Sequence, residues 1–285
     1  MKLIADSGST KTAWCLVEAP ENVIYTQGIN PFQQNENEIC DILQHELLPS
    51  LSFPDQIGVI HFYGAGCTPE KAPVVTCALQ QVISNTATIH VESDMLGAAR
   101  SVCQHQSGIV CILGTGSNSC YYDGRSLHPG IPALGYILGD EGSGAYIGKR
   151  LVSDILKKQL PQDIQSLFFE ETHENQANII QRVYRTPLPN RYLASLSPFC
   201  ARHREHPAIH AFLLDCFEQF FRRNIIPLTS NHTPINPPLS TVHFVGSIAH
   251  YYRAELSEAA TRCGYTIGTI LQSPLEGLTT YHQNA

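Results

Sequence analysis

The feature that most constrains this chain is a loop of glycines and hydroxyl residues between two strand-like runs, within Gly108 to Gly124. The apolar run Ile109 to Leu113 enters the loop Gly114-Thr115-Gly116-Ser117, and Asn118 to Tyr122 leaves it. Glycines let backbone N–H groups approach an anion closely, and the Thr and Ser hydroxyls add further donors. The pattern indicates a phosphate-binding loop or, alternatively, an ordinary hairpin with a glycine-rich tip.

Two further turns of this kind lie near the ends of the chain. At the N-terminus, the strand Leu3 to Asp6 precedes Ser7-Gly8-Ser9-Thr10-Lys11, and Thr12 to Glu18 alternates like a second strand. Near the other end, the strand Val242 to Val245 runs into Gly246-Ser247-Ile248-Ala249 at the start of a helical stretch. Neither a Walker pattern nor a GxGxxG that opens a helix after a strand occurs in the sequence. We therefore expect hairpin loops to bind phosphate here.

Composition narrows the class of protein. A chain of 285 residues, with 43% hydrophobic and 15% charged residues, is long enough for two globular domains. A net charge of −7 argues against a nucleic-acid or membrane-surface partner, and the pair Arg222-Arg223 is interpreted as part of a solvated helix face. No apolar run reaches membrane-spanning length and no secretory signal is evident. The ten cysteines show no CxxC or metal-ligand spacing, so we expect a cytoplasmic protein without disulfides or structural zinc.

Strands and helices alternate through the first half of the chain, which predicts an α/β fold with a partly parallel sheet. The predicted elements there are a helix over Asn37 to Leu48, a strand over Ile57 to Tyr63, a helix over Pro69 to Ser84, a strand over Ala87 to Glu92 and a helix over Met95 to Cys103. The second half is mostly helical. Helices are predicted over Ala145 to Leu160, Ala177 to Tyr184, Asn190 to Arg202 and His206 to Ile226, followed by a loop over Thr229 to Pro238 and a short helix after Ser273.

With these motifs in place, the chain resembles the actin/Hsp70/sugar-kinase superfamily. Within it, the chain is similar to the N-acetylglucosamine kinase and BadF/BadG/BcrA/BcrD ATPase family over nearly its whole length. The matching segments are DSGSTKT (Asp6 to Thr12), GTGSNS (Gly114 to Ser119), VGSIA (Val245 to Ala249) and GYILGDEGSGAYIG (Gly135 to Gly148). The first two match phosphate motifs, the third an adenosine motif, and the fourth a segment that marks N-acetylhexosamine kinases.

Asp94 is the candidate catalytic base. Phosphoryl transfer to a sugar hydroxyl needs a carboxylate that orients the hydroxyl and accepts its proton. Ser93-Asp94 lies at a strand-to-helix junction, and the family's catalytic aspartate occupies a matching position. The alternative is that Asp94 only caps the helix, a contribution of about 1 kcal/mol.

The resemblance implies ATP and Mg2+ as cofactors and assigns residues to each. Asp6 matches the aspartate that holds Mg2+ directly or through water. The implied ATP-binding residues are Ser7, Gly8, Ser9, Thr10 and Lys11 in the first loop, Gly114, Thr115, Gly116 and Ser117 in the second, and Gly246 and Ser247 beside the adenosine. Lys11 has an alternative reading as a solvent-facing hairpin lysine.

The resemblance also implies a site for a small-molecule sugar. Its residues are Asn30, Thr115, Asn118, Gly135, Asp140 and Glu141. After Asn30 this chain has Pro31-Phe32 where the N-acetylglucosamine kinases have a histidine and an aromatic residue. Two alternatives stay open at this point: Asp140-Glu141 could be an exposed acidic turn, and Asn30 a turn former.

The resulting prediction is two ribonuclease-H-like (actin-like ATPase) domains flanking a nucleotide-binding cleft. The first spans 1–107 and is rejoined by 271–285, and the second spans 108–270 with a helical insertion at 145–227. The predicted activity is ATP-dependent phosphorylation of N-acetylglucosamine or a related amino sugar, and the protein is compatible with a homodimer. The alternatives are an ATPase activator of the acyl-CoA dehydratase type and a nucleotide-dependent sugar sensor. The activators bind an iron–sulfur cluster on paired cysteines, an arrangement that this sequence does not match.

Overall fold

The chain forms two compact units, each built on a five-stranded sheet. The computed structural model describes residues 1–8, 10–83, 87–128, 130–231 and 240–283. Unit 1 consists of Met1–Gln106, Gly124–Leu127 and Ser273–Ala285, and unit 2 consists of Ser107–Asp123 and His128–Gln272. The assignment of residues 1–107 with 271–285 to one functional domain, and of residues 108–270 to another, stays a prediction.

Ten strands and thirteen helices are found in the described ranges. The strands are β1 (Lys2–Ser7), β2 (Lys11–Leu16), β3 (Ala19–Gln27), β4 (Val59–Gly64), β5 (Thr88–Ser93), β6 (Gly108–Leu113), β7 (Ser117–Tyr122), β8 (Leu127–His128), β9 (Thr241–Val245) and β10 (Thr266–Leu271). The helices are α1 (Glu36–Ile42), α2 (Ala72–Val82), α3 (Asp94–Cys103), α4 (Gly135–Leu138), α5 (Gly144–Leu156), α6 (Gln162–Thr172), α7 (Gln176–Arg185), α8 (Pro189–Arg202), α9 (Pro207–Phe220), α10 (Ile226–Asn231), α11 (Ser247–Tyr251), α12 (Arg253–Arg262) and α13 (Leu275–Gln283). Short π-helical and 3-10 turns follow α1, and a π-helical turn, Phe221–Ile225, joins α9 to α10.

The sheet of unit 1 has the order β3-β2-β1-β4-β5. The first three strands are antiparallel neighbours, whereas β1, β4 and β5 run parallel. The parallel register aligns Ser7 with Gly64 and Gly64 with Ser93. The segments that follow these three strands therefore leave the sheet at one edge, where α/β folds place ligand sites.

The side chains of β1 contribute to a hydrophobic core on each face of this sheet, because successive side chains of a strand point to opposite faces. Leu3 packs with Trp14 and Phe62 on one face, together with the apolar sides of α1 and α2. Ile4 packs with Tyr63 and other residues on the opposite face, beside α13. The Trp14 indole N–H is satisfied by the Thr26 hydroxyl at 3.0 Å, so this large aromatic ring can be fully buried.

The sheet of unit 2 has the order β10-β9-β6-β7-β8. Strands β6, β9 and β10 run parallel, while β6 and β7 form an antiparallel hairpin. Helices α5 and α8 pack closely, since a Cβ atom on Gly148 would lie 1.8 Å from the Leu193 carbonyl oxygen. That glycine is therefore required by a close approach of two backbones.

The predicted α/β class and both predicted hairpins, β1–β2 and β6–β7, are confirmed. Several elements were not predicted, among them β3, β8, β10, α4 and α6. The loop predicted over Thr229 to Pro238 is wrong at its start, because α10 continues to Asn231, and the rest of that segment lies outside the described residues. Within the described ranges, no helix has both the length and the apolar character that crossing a bilayer requires.

Candidate active site

Asp94 is the first residue of α3, directly after the carboxyl end of β5. The N-cap is Ser93, whose hydroxyl accepts the Leu96 N–H at 3.2 Å. The Asp94 Oδ1 atom accepts the N–H of Met95 at 2.8 Å, which fixes the orientation of the carboxylate. Burial raises the pKa of the Asp94 carboxyl, and backbone N–H groups partly offset this by stabilising the charged form.

Asp6, in β1, lies close enough to Asp94 for the charge of Asp94 to affect its pKa. Burial, followed by the negative charge of Asp94, raises the pKa of the Asp6 carboxyl to about 7, and Lys11 opposes that shift. The Asp94 charge also reaches Cys67, after β4, where burial and then that charge raise the thiol pKa to about 12. Two poorly solvated carboxyl groups thus lie near each other at the carboxyl edge of the sheet. A divalent cation that prefers oxygen ligands would lower the cost of burying these negative charges and reduce the repulsion between them. The residues therefore fit the Mg2+ site that the resemblance implies.

The first loop, between β1 and β2, is closed by its own backbone. The N–H of Gly8 donates to the Lys11 carbonyl at 3.0 Å. The Ser7 hydroxyl is fully buried, lies 2.7 Å from the Thr12 hydroxyl and donates to the Ile29 carbonyl at 2.9 Å. Its contacts are therefore those of a structural side chain, and a contribution of Ser7 to phosphate binding stays a prediction.

Within the same loop, Thr10 is exposed, and Ser9 lies outside the described residues. The Lys11 ammonium group lies 4.7 Å from the centre of the Tyr25 ring, a cation–π arrangement on the outer strands. Since Lys11 also lowers the pKa of Asp6, its charge reaches the carboxylate pair even though its head group packs on Tyr25.

Asn30 forms a turn in this structure. Its Oδ1 atom accepts the Phe32 N–H at 3.0 Å, and its own N–H donates to Gln34 Oε1 at 2.7 Å. Gly66 packs on the same carboxamide, because a Cβ atom there would lie 2.4 Å from Asn30 Oδ1. These contacts favour the turn-forming interpretation of Asn30, and sugar binding by this residue stays a prediction.

The second loop, between β6 and β7, is supported by the start of α5. The N–H groups of Gly144 and Ala145 donate to the carbonyls of Gly114 and Thr115, at 2.8 and 3.1 Å. Ser143, the N-cap of α5, accepts the Tyr146 N–H at 3.1 Å. The loop is thus held on a helix N-terminus, where the positive end of the helix dipole favours anions.

Gly246 lies against the base of the same loop, although it is more than a hundred residues away in sequence. Strands β6 and β9 are parallel neighbours, so Leu113 and Val245 end side by side. Gly246 has φ +122°, and a Cβ atom on it would lie 2.3 Å from the Leu113 carbonyl oxygen, a position open only to glycine. Ser247 follows as an exposed residue at the start of α11. The second loop and the predicted adenosine motif are therefore adjacent in unit 2.

A cavity of about 130 Å³ lies in unit 2 beside the exit of β7. Predicted sugar-binding residues Asn118, Asp140 and Glu141 line it. Asp140 has φ +57°, and its Oδ1 atom accepts the Ser117 N–H at 3.3 Å. Burial raises the pKa of Asp140, and the neighbouring Glu141 raises it further. Glu141 is only 8% exposed, which contradicts the alternative of a plain exposed acidic turn.

Thr115 and Gly135, also predicted as sugar-binding, are not among the described lining residues of this cavity. Gly135 has φ +72° and begins α4, and the exposed apolar residues Leu134, the N-cap, and Leu138, the last residue of α4, border the cavity. The roles of Thr115 and Gly135 in substrate binding stay predictions.

Two polar side chains of this cavity, those of Arg223 and Asn224, were not predicted from the sequence. The Asn224 amide donates to Glu141 Oε2 at 3.4 Å, and the Arg223 guanidinium lies 3.7 Å from Glu141 Oε1. Both belong to the π-helical turn Phe221–Ile225. Arg223 is nevertheless exposed, so the interpretation of Arg222-Arg223 as a solvated helix face agrees with the structure, although it missed the contact with Glu141. A π-helical turn presents residues off the normal helical period, so the spacing in the sequence offered no signal.

Several solved structures are similar to this chain over nearly its whole length. A crystal structure from Porphyromonas gingivalis, provisionally named an N-acetylglucosamine kinase, is 45% identical, covers 100% of this chain and 99% of its own, and has a TM-score of 0.93. A second provisionally named N-acetylglucosamine kinase, from Chromobacterium violaceum, is 16% identical over 98% of each chain, with a TM-score of 0.72. A ROK family glucokinase from Streptomyces griseus, solved with glucose and AMPPNP, is 14% identical over 100% of this chain and 98% of its own, with a TM-score of 0.59.

No family model matches the chain, and no curated protein matches it. The two relatives at 16% and 14% identity support the fold alone. The two α/β units have the actin-like ATPase fold that sugar kinases share. The chain belongs to the N-acetylglucosamine kinase family, as its full-length match at 45% identity shows.

Proposed function

We propose that this protein transfers the γ-phosphoryl group of ATP to a hydroxyl of N-acetylglucosamine or a closely related amino sugar. The observation that carries the proposal is the placement of Asp94. The N-cap of α3 is Ser93, so the carboxylate that follows it is not needed as the helix cap. A fixed, poorly solvated carboxylate at this position suits a group that orients a substrate hydroxyl and accepts its proton during transfer.

Mg2+ would be held by Asp6, directly or through water, with Asp94 close enough to interact with its charge. When bound, the ion would neutralise negative charge on the phosphate oxygens. The raised pKa of Asp6 supports this role, because a carboxyl group that is costly to ionise alone gains most from a nearby cation.

The candidate phosphate-binding groups are the backbone and hydroxyl groups of the two glycine loops, each considered within its own unit. In unit 1 these are the backbone and hydroxyl groups of Gly8 and Thr10. In unit 2 they are those of Gly114, Thr115 and Gly116. The start of α5 holds this loop by donating N–H groups to its carbonyls. Gly246 and Ser247 would contact the nucleoside, and their position beside Leu113 connects that contact to the second loop. Loops fixed before the ligand arrives stabilise developing charge without reorganisation.

The sugar would bind in the cavity beside β7. Asn118 and Asp140 offer an amide and a carboxylate, which match the alternating donors and acceptors of a sugar ring. Asn224 would hold Glu141 in place through its amide, so Glu141 can receive a sugar hydroxyl or amide N–H. The apolar residues Ile131 and Ala133 would pack against the acetamido methyl group.

The direct test is ADP release by the purified protein with Mg-ATP and a panel of sugars. The panel is N-acetylglucosamine, N-acetylmannosamine, N-acetylmuramic acid, glucosamine and glucose. We expect an N-acetylhexosamine to stimulate ADP release strongly and glucose to do so weakly. Slow ATP hydrolysis that is indifferent to every sugar would contradict the proposal and would favour an ATPase activator or a sugar sensor.

A further inference from the structure

A second cavity, of about 420 Å³, lies in unit 1. Its lining includes Lys2, His61, His90, Glu92, Arg100 and His282. It also includes Val59 and Thr88, the first residues of β4 and β5, whereas Asp94 follows the last residue of β5. The cavity is therefore a separate place in the fold, and an inference about it does not depend on the proposed function.

Three histidines in this cavity form a stack. The ring centres of His61 and His282 are 3.7 Å apart with planes inclined by 21°, and those of His61 and His90 are 4.9 Å apart with planes inclined by 10°. Stacked rings do not aim their nitrogen atoms at one point. Within the described ranges, no group of three His, Cys, Asp or Glu side chains is placed to hold a metal ion. The stack thus does not have the geometry of a metal site.

The hydrogen bonds around His282 fit a neutral ring. Arg100 donates to the Tyr63 hydroxyl oxygen at 2.8 Å, and that hydroxyl lies 2.9 Å from His282 Nε2. In the neutral tautomer with an unprotonated Nε2, that nitrogen can accept the Tyr63 proton while the Tyr63 oxygen accepts from Arg100. A neutral His282 avoids placing a third positive charge beside Lys2 and Arg100.

Positive groups surround the stack. The Lys2 ammonium group donates to the His282 carbonyl at 2.8 Å, which places that charge beside the rings. The Arg100 guanidinium lies 5.2 Å from the Tyr281 ring centre, and its buried Nε–H has no hydrogen-bond acceptor among the described residues. A buried donor that lacks an acceptor is costly. An anionic oxygen that accepts the Arg100 Nε–H would remove that cost and bind favourably.

We propose that this cavity binds the phosphate group of a small phosphorylated metabolite. Arg100 and Lys2 would bind the phosphate oxygens, His90 would donate a ring N–H, and His61 would supply a further donor once protonated. The volume of about 420 Å³ exceeds what a bare phosphate ion fills, which leaves room for the organic part of the ligand. The exposed edge strand, with Thr88 and His90 on the cavity wall, would contact that part.

Protons are coupled to this binding. The pKa of His61 is lowered to about 4, first by burial and then by His90, Arg100 and Lys2, and the pKa of His282 is lowered to about 3 by burial and the same positive surroundings. A bound anion reverses the sign of that field and raises both pKa values. Glu92, which also lines the cavity, opposes a dianion. Binding therefore tightens as the pH falls and histidine protons are taken up.

The test is a titration of the full-length protein, followed by NMR of the histidine ring protons, with sulfate, inorganic phosphate and glucose 6-phosphate as probes. Sulfate keeps a fixed charge, so its pH dependence reports the protein alone. We expect sulfate to bind about tenfold more tightly near pH 5 than near pH 7, and the His61 pKa to rise by about two units on binding. Tighter binding of glucose 6-phosphate than of inorganic phosphate is expected if the organic part is also recognised.

Two variants and a control complete the experiment. His90→Gln, on the exposed edge strand, should weaken all three probes about fivefold or more, and His61→Gln should remove the pH dependence. His210→Gln, a surface histidine of α9 paired with Glu258, should change neither. The proposal is overturned if the probes do not shift the His61 signal, or if both cavity variants bind as the wild type does. Equal affinity for phosphate and glucose 6-phosphate would overturn the assignment to a metabolite.

Discussion

The carboxyl groups of Asp6 and Asp94 lie near enough at one edge of the unit 1 sheet that the charge of Asp94 raises the pKa of Asp6. Burial is the larger cause, and together the two bring the Asp6 pKa to about 7. The parallel register of β1, β4 and β5 produces this proximity, because it ends these strands side by side. Nearly ninety residues separate the two aspartates in sequence, so their interaction is a consequence of topology.

The first prediction concerns the pH dependence of stability without metal. Asp6 keeps its proton in the folded state between its ordinary pKa of 3.8 and about 7, whereas the unfolded chain releases it. The folded state therefore binds more protons in that window, and the free energy of unfolding falls as the pH rises through it. Asp6→Asn should remove that loss and stabilise the protein by roughly 2–4 kcal/mol at pH 8, but little near pH 4.

Urea unfolding in the presence of EDTA measures this difference. Asp55→Asn, at an exposed position, is the matched control and should leave the pH profile of the wild type unchanged. If Asp6→Asn stabilised the protein equally at both pH values, the ionisation of Asp6 would not be the cause of the stabilisation.

The second prediction separates the helix cap from the catalytic base. Ser93→Ala removes the side chain that accepts the Leu96 N–H, so it should cost about 1 kcal/mol of stability and leave most of the activity. Asp94→Asn should leave stability at or above that of the wild type and preserve nucleotide affinity, but lower kcat by about 10²–10⁴-fold, the usual contribution of general base catalysis. Steady-state kinetics and nucleotide binding on both variants decide the assignment. An active Asp94→Asn variant would remove Asp94 from the role of base.

The third prediction concerns the cavity beside β7. Asp140→Asn keeps the shape of the side chain and tolerates the positive φ of this position, but removes the negative charge. We expect the KM for the sugar to rise about tenfold or more, while the KM for ATP changes little. Asn224→Ala, which frees Glu141 from its amide partner, should act in the same direction. A larger effect on the KM for ATP would place this cavity outside the sugar site.

The fourth prediction concerns Gly246. Gly246→Ala should destabilise the protein by about 3 kcal/mol or more and weaken nucleotide binding, since the new Cβ atom meets the Leu113 carbonyl at the base of the second loop. Gly264→Ala is the control, because Gly264 also has a positive φ but has open space around it. It should cost only about 1 kcal/mol. Equal losses in the two variants would show that backbone conformation, and not the contact with Leu113, governs the effect.

Local patterns in the sequence were sufficient to predict the two hairpins, the strand-to-helix junction at Asp94 and the start of α11 at Ser247. Each depends on neighbours in sequence, such as glycine loops or an N-cap serine. The pairing of Arg223 and Asn224 with Glu141 could not be predicted, because it depends on the packing of α9 and its π-helical turn against the segment before α5. The burial of the Ser7 hydroxyl likewise depends on Ile29, a contact with no local signal.

The most direct measurement of the central claim is the identity of the phosphorylated product. Protein, Mg-ATP and N-acetylglucosamine are incubated together, and the products are followed by phosphorus NMR, with Asp94→Asn as the control. We predict that a sugar phosphomonoester and ADP appear in equal amounts, and that the variant forms neither at a comparable rate. Inorganic phosphate as the only product besides ADP, with or without any amino sugar, would contradict it.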